Sequence, residues 1–141
     1  MAFTSVFQGV ADAQRDAAVA ETDLNICTYG QAKFTRNQMP AAMMTYTGGT
    51  PENYCSQCLD VVTTQVWAIY GRDPDEVSVI MEQLMWLWYK TAVRAVLTPL
   101  GFIGFTLVDA VPAQLIQGTD MAGALMGVLE FEVRLRIDNP Y

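Results

Sequence analysis

The clearest pattern in the chain is Leu129-Glu130-Phe131-Glu132-Val133-Arg134-Leu135-Arg136-Ile137. Each odd-numbered residue of this stretch is apolar and each even-numbered residue is charged, which is the two-residue period of a β-strand with one buried face. We expect the apolar face to join the core and the other face to carry Glu130, Glu132, Arg134 and Arg136. The two arginines are expected to form ion pairs across strands or between subunits.

A second β-type segment, residues 60–70, leads into the best-marked boundary of the chain. It is rich in Val, Ile, Thr and Trp on both faces, so we expect it to lie inside a sheet. Asp73 then provides an N-cap for a helix, with Pro74 in its first position and Glu76 able to bond back to the cap. The apolar spacing predicts that this central helix runs to about Leu97.

The remaining elements complete an α+β pattern. Residues 3–20 repeat apolar side chains at spacings of three and four, which predicts an amphipathic helix whose stripe includes Val10, Ala13, Ala17 and Ala20. The order helix, strand, strand, strand, helix, strand, strand indicates a mainly antiparallel sheet, with the N-terminal and central helices packed on one face. We predict one domain over residues 1–141. Further strands are predicted at 24–30, 41–46 and 102–111, and turns at 48–53 and 117–120.

The composition excludes several classes of function. The chain has 141 residues, a formal net charge of −7 and no histidine. It therefore cannot build a Ser-His-Asp or Cys-His nucleophile pair or a His-ligated metal site from its own residues, and its charge argues against gripping nucleic acid through phosphates. Only 16% of its residues are charged, against about 25% in an average soluble domain. Because 52% are hydrophobic, we expect copies of the chain to cover each other's apolar surface.

Membrane and export signals are not found in the sequence. The most apolar stretch, residues 91–110, contains Arg94, Pro99 and Asp109 and does not fit a transmembrane helix. Residues 1–20 lack a basic start and a continuous apolar run, so they do not resemble a signal peptide. We therefore expect a soluble, intracellular protein with no membrane partner, and an odd number of cysteines is typical of a reducing compartment.

Cysteines and carboxylates are the candidates for chemistry. Cys55-Ser56-Gln57-Cys58 is a C-x-x-C motif, but a zinc site needs two further ligands and only Cys27 remains. A redox pair would favour a helix N-terminus, whereas this motif precedes a strand, so two loop thiols are the simpler interpretation. Capping and ion pairing are the simpler roles for the candidate carboxylates, which are Asp73, Asp75, Glu76, Glu82, Asp109, Glu130 and Glu132.

Aromatic residues widen the apolar surface of the central helix. Trp86, Trp88 and Tyr89 are expected in the core or at a subunit interface, and the alternative is one wall of a pocket for an aromatic ligand.

The glycines at 48–49 and 101–104 lack the spacing of a phosphate-binding loop. The residues thus indicate no catalytic site, no cofactor and no metal, and they favour a structural or interaction protein over an enzyme.

Four features together resemble a known family. The first is an Ala-rich N-terminal helix followed by a strand, and the second is the segment Pro40-Ala41-Ala42-Met43-Met44-Thr45-Tyr46-Thr47-Gly48-Gly49. The third is the strand 61–70, which ends in Gly71-Arg72-Asp73 before the central helix. The fourth is the alternating strand that follows a Gly-containing turn in residues 123–137. In this order the chain resembles the tail terminator, or tail-completion, proteins of long-tailed bacteriophages, within the wider group of neck and minor tail proteins.

The resemblance implies a virion protein of the tail or neck that forms a hexameric ring, caps the tail tube and joins it to the head. Its partners would be copies of itself, the tail tube protein and a head-closure or connector protein, and it would assemble in the host cytoplasm. DNA would pass through an acidic lumen without specific binding. We expect Glu130, Glu132, Arg134 and Arg136 to face a neighbouring subunit or the lumen.

Other interpretations stay open. The chain is also compatible with a head-closure or connector protein, or with a tail tube subunit. A small-molecule-binding α+β domain would use the Trp-rich helix as a pocket wall, and a redox module would work through Cys55 and Cys58. Ring formation discriminates the virion proteins from the others, because pocket proteins are usually monomers or dimers.

Overall fold

The computed structural model describes residues 5–30, 32–52, 55–115 and 124–141. Within them lie three α-helices and five β-strands, and their order confirms the predicted α+β class, with the central helix divided in two. Their bounds are α1 Val6–Glu21, β1 Ile26–Tyr29, β2 Ala41–Glu52, β3 Cys58–Gly71, α2 Pro74–Leu87, α3 Thr91–Leu97, β4 Phe102–Leu115 and β5 Leu125–Asp138.

The strands form a five-stranded sheet in the order β1-β2-β3-β5-β4. Neighbouring strands run antiparallel except β1 and β2, which are parallel. The sheet is therefore mixed, although mainly antiparallel as predicted. β3 holds the central position that its two-sided apolar pattern indicated, and β4 is an outer strand.

The alternation in β5 divides the sheet into two faces. The odd residues of β5 lie under the helices, and all three helices contribute to the same core. Gly127 lets α2 approach β5 closely, because a Cβ at this position would overlap the sulfur of Met81. The fully buried residues at the centre of this core are Val10, Trp67, Ile69, Ile80, Leu84, Leu97, Leu129 and Leu135.

The opposite side of the sheet, called here the open face, is covered only at one end. Phe34 and Met39, from the segment that joins β1 to β2, pack there on Ala41, Ala68 and Tyr70. This small second cluster shields the start of β2 and the end of β3. The rest of the open face carries the charged residues of β5 and has no helix over it among the described residues.

The central helix is shorter than predicted. α2 ends at Leu87 and α3 begins at Thr91, after an extended Lys90 with φ −65° and ψ 126°. The break places Trp88 in the core, where its ring lies 5.4 Å from that of Trp67. The apolar residues of this segment extend around more of the helix than one face can bury. The change of direction buries Trp88, while Trp86 and Tyr89 stay exposed.

β2 continues through a predicted turn. The turn at 48–53 is wrong over residues 48–52, because β2 runs on to Glu52. A register shift after Thr47 and a positive φ of 75° at Gly48 accommodate the glycines within the strand pair. Residue 53, like residues 3 and 4 of the predicted first helix, lies outside the described residues.

β4 continues past Pro112, where the sequence predicted its end. The strand runs to Leu115, with a register shift between Val111 and Gln114. Proline is tolerated here because β4 is an edge strand, whose outer side needs no ladder N–H. The turn predicted at 117–120 lies outside the described residues.

A buried polar contact joins α1 to the centre of the sheet. Gln14 Nε2 donates a hydrogen bond to Gln65 Oε1 at 3.1 Å, and Gln65 Nε2 donates to Gln14 Oε1 at 2.6 Å. Both side chains are buried, where an unpaired amide would cost free energy. The apolar stripe predicted for this helix does not include Gln14, so the pair sets the rotation of α1 differently from that expectation.

We expect Gln65→Leu to lower the free energy of unfolding by about 2 kcal/mol, because it leaves the Gln14 amide buried and unpaired. Gln14→Leu should have a similar effect. The double variant should lose clearly less than the sum of the two single losses, since neither amide then remains. Urea denaturation of all four proteins measures this coupling, and strictly additive losses would contradict it.

Candidate functional site

Both arginines of β5 form cross-strand ion pairs on the open face. Arg136 lies directly opposite Asp60 of β3, and its Nε and Nη2 donate to the two carboxylate oxygens at 2.8 and 3.1 Å. The Asp60 side chain is 3% exposed, and the hydrogen bond to it raises the pKa of Arg136. Arg134 reaches across β3 to Glu52 of β2 at 2.8 Å. These ion pairs neutralise Arg134 and Arg136, the two basic residues of the charged face of β5.

Asp60 is the residue of this site that sequence reasoning missed. The prediction includes it as the first residue of a strand and not as a candidate carboxylate. A buried acid requires a compensating charge, and here that charge comes from Arg136, far along the chain. The one local signal was an acid as the only charged residue of the segment 60–70.

The glutamates of β5 leave the other half of the open face acidic. Glu130 lies opposite Asp109 of β4, and Glu132 lies opposite Thr106. Within the described residues neither glutamate forms an ion pair. Like charges that face each other across a sheet repel, so this half of the face is suited to water and not to burial.

The three predicted aromatic residues separate in the structure. Trp88 is 1% exposed, so it takes the core position that was one of the two expectations and does not belong to an interface. Trp86 and Tyr89 are 72% and 56% exposed. Their ring centroids lie 5.6 Å apart, and Tyr89 continues to Phe105 of β4 at 4.8 Å. We call Trp86, Tyr89 and Phe105 the aromatic ridge.

β4, next to the ridge, has an apolar sequence but an exposed position. Of its 14 residues only Phe102 is buried, and Val108 is 57% exposed. No other strand of the described chain pairs with its outer side. The sequence pattern predicted this strand but not its position at the edge of the sheet, because strand order depends on pairing between distant segments.

Most of the remaining candidate carboxylates lie at the start of α2, where Asp73, Asp75 and Glu76 line a shallow surface pocket. Asp73 Oδ1 accepts the N–H of Glu76 at 2.9 Å, which confirms the predicted N-cap. Glu76 accepts the N–H of Arg72 at 2.8 Å and not that of the cap residue, which corrects the predicted capping box. Asp75 and Glu82 are exposed on α2. The described residues contain no group of three or more Cys, Asp or Glu that could hold a metal ion.

The three cysteines are free thiols in two different settings. Cys27 lies buried on β1, and burial raises the pKa of its thiol to about 12. Cys55 and Cys58 lie together in the link between β2 and β3, with their Sγ atoms 3.4 Å apart. Cys27 does not join them, so the C-x-x-C motif stands as a pair.

A cavity of about 530 Å³ lies near the end of the chain, lined among others by Thr98, Leu100, Arg136 and Pro140. None of the aromatic residues predicted as a pocket wall lines it. Trp86 projects from the surface instead, which gives no support to the alternative of a pocket for an aromatic ligand.

The described helices include none that is long and apolar enough to cross a membrane. In comparisons with known proteins, no family model matches the chain and no curated protein matches it at a significant level. The exposed edge, the aromatic ridge and the divided open face are therefore the features from which function is inferred.

We expect Trp88→Ala to lower the free energy of unfolding by about 3–5 kcal/mol, because it empties a core position beside Trp67. Trp86→Ala should change it by about 0.5 kcal/mol or less, since the indole is mostly in water. Denaturant titration at low protein concentration, followed by circular dichroism, compares the two. Similar losses in both variants would contradict this division of the aromatics.

Proposed function

We propose that this protein is a structural subunit that assembles with copies of itself into a closed ring, which caps the tail tube of a long-tailed phage and joins it to the head. The observation that carries the proposal is β4, an edge strand of 14 residues that is apolar in sequence and exposed in the single chain. Composition led to the same expectation, because a chain with so few charges needs partners to cover its surface.

The edge of β4 is suited to pairing with another chain. Edge strands present unpaired backbone N–H and C=O groups, and proteins protect them with lysines, prolines, bulges or short length. β4 is long, and its only charge is Asp109. Pro112 interrupts the edge near one end, and register shifts lie between Phe102 and Gly104 and between Leu107 and Asp109. The regular segments 104–107 and 109–111 remain available for pairing. Pairing there would satisfy backbone groups and cover Ile103 and Val108 in one step.

The aromatic ridge extends this contact surface onto the helix layer. Trp86 and Tyr89 lie beside β4 and contact it through Phe105, and the Arg94 guanidinium lies 6.0 Å from the Phe105 ring centroid. Tryptophan, tyrosine and arginine are the residues that most often dominate the binding energy of protein interfaces. The ridge and the edge thus form one continuous patch.

Ring closure needs a second, different surface on each subunit, because two identical patches would close into a dimer. A shallow apolar groove of about 350 Å³ lies between α1 and α3. Its α1 wall packs mainly over β1, at the opposite edge of the sheet from β4, whereas its α3 wall lies toward β4, where Arg94 approaches Phe105. We assign this groove to the β4 side of the next copy. The residues that line it include Ala13, Ala17, Ala20, Ala92 and Val96.

The charge distribution suits a passage for DNA. Asp109, Glu130 and Glu132 provide acid on the open face, while Arg134 and Arg136 are paired with carboxylates. A ring multiplies the net charge of −7 per subunit. A lumen lined by the open face would repel phosphates, so DNA could pass without binding.

A head-closure protein or a tail tube subunit would use the same edge. The shape of the assembly separates a terminator from a tube subunit, because a terminator forms single rings whereas a tube subunit stacks rings into tubes. The acidic open face of this chain is compatible with all three functions and does not separate them.

We expect Val108→Lys to abolish ring formation while leaving the fold intact, because it places a charge on the exposed edge. Val79→Lys is the matched control, since Val79 is an exposed valine of α2 away from β4. Light scattering and negative-stain imaging at several concentrations measure assembly, and circular dichroism checks the fold.

The expected result is annular particles for the natural chain and the control, and monomers for Val108→Lys. A natural chain that stays monomeric at all concentrations would overturn the proposal of a self-assembling ring. Rings that form equally well with Val108→Lys would overturn the assignment of β4.

A further inference from the structure

The turn between β2 and β3 brings two thiols into direct contact. The N–H of Cys55 donates to the carbonyl of Cys58 at 3.1 Å, so the four residues 55–58 close a tight turn. The N–H of Cys58 donates to Cys55 Sγ at 3.2 Å, and the two Sγ atoms lie 3.4 Å apart. The sulfurs therefore need to approach by about 1.4 Å to reach the length of a disulfide bond.

The two thiols have unequal surroundings. Hydrogen bonds from the backbone at Gln57 and Cys58 lower the pKa of Cys55. The pKa of Cys58 is raised, because its thiol bonds to Cys55. Cys55 is exposed and Cys58 half-buried, so reagents in water can reach the pair, whereas Cys27 is buried on β1.

We propose that Cys55 and Cys58 are a redox-active dithiol that exchanges with small-molecule disulfides to form an intramolecular Cys55–Cys58 disulfide. Cys55 is the attacking thiol and Cys58 the resolving thiol. The proposal is independent of ring formation, since it concerns a different part of the molecule from β4.

The exchange proceeds in two balanced steps. The Cys55 thiolate attacks one sulfur of oxidised glutathione, the S–S bond of the reagent breaks, and one glutathione leaves as a thiolate. The Cys58 sulfur then attacks Cys55 Sγ in the mixed disulfide and expels the second glutathione. The protons of the two protein thiols end on the two glutathione molecules, so the protein loses two electrons and the reagent gains them.

The turn also holds the end of the chain, which gives the oxidation a structural consequence. Asn139 Nδ2 donates to the carbonyl of Ser56 at 2.7 Å, and the N–H of Asn139 donates to the carbonyl of Gln57 at 2.8 Å. A disulfide across residues 55–58 would therefore stiffen the turn to which the C-terminal residues bind.

The test incubates the native full chain with mixtures of reduced and oxidised glutathione, traps free thiols by alkylation and maps them by peptide mass spectrometry. We expect a Cys55–Cys58 disulfide within each chain, while Cys27 remains alkylatable only after unfolding and serves as the internal control. Absence of this disulfide at every glutathione ratio, or disulfides only between chains, would overturn the proposal.

Two matched variants test the assigned roles. Cys58→Ser should accumulate a mixed disulfide with glutathione at position 55, because no resolving thiol remains. Cys55→Ser should form the corresponding adduct at position 58 at least about fivefold more slowly. Cys58 is half-buried, whereas Cys55 is exposed and keeps the backbone hydrogen bonds that lower its pKa when Cys58 is replaced. Equal rates in the two variants, or faster reaction of Cys55→Ser, would overturn the assignment of Cys55 as the attacking thiol.

Discussion

Strand β5 can bury only one of its faces, and much of the architecture depends on this constraint. Its odd positions are apolar and its even positions charged, so the helices collect on the odd side. On the even side, Arg134 and Arg136 reach carboxylates on β2 and β3. β5 also uses both of its edges, pairing with β3 and β4. β4 is thereby left as the last strand, with one edge unpaired.

Local signals in the sequence predicted what depends on neighbouring residues. The alternation of residues 129–137 predicted both the strand and its two faces, and Asp73 with Pro74 predicted the start of α2. The class of the fold followed from the order of such elements. These predictions succeed because a period of two or an N-cap is determined within a few residues.

The remaining features depend on contacts between distant residues. The helix break that buries Trp88 depends on Trp67 in the sheet, and the pairing of Asp60 depends on Arg136. Gly48 predicted a turn, but pairing with β3 extends β2 through it. The outer position of β4 depends on the order of all five strands, so the candidate interaction surface could not be located from its own residues.

The structure also locates the apolar surplus that the composition indicated. Six of the twelve large apolar residues that are exposed in the described chain lie on β4 or are the nearby Trp86 and Tyr89. Glu130 and Glu132 lie on the open face instead, so the proposed contact surface is distinct from the part of the sheet that carries these acids. Cys55 and Cys58, at the start of β3, lie apart from β4 and add a chemical property that assembly does not require.

Backbone hydrogen exchange of β4 tests the central claim most directly, because it reports the hydrogen bonds of the edge itself. We expect the outward-facing amides of residues 104–107 and 109–111, which do not donate to β5, to exchange quickly in dilute protein. These amides should become strongly protected at concentrations where rings form. The inward-facing amides of β4 and the amides of β5, which is paired on both sides, should change little. Rings that form while the outward-facing amides of β4 continue to exchange quickly would contradict pairing through this edge.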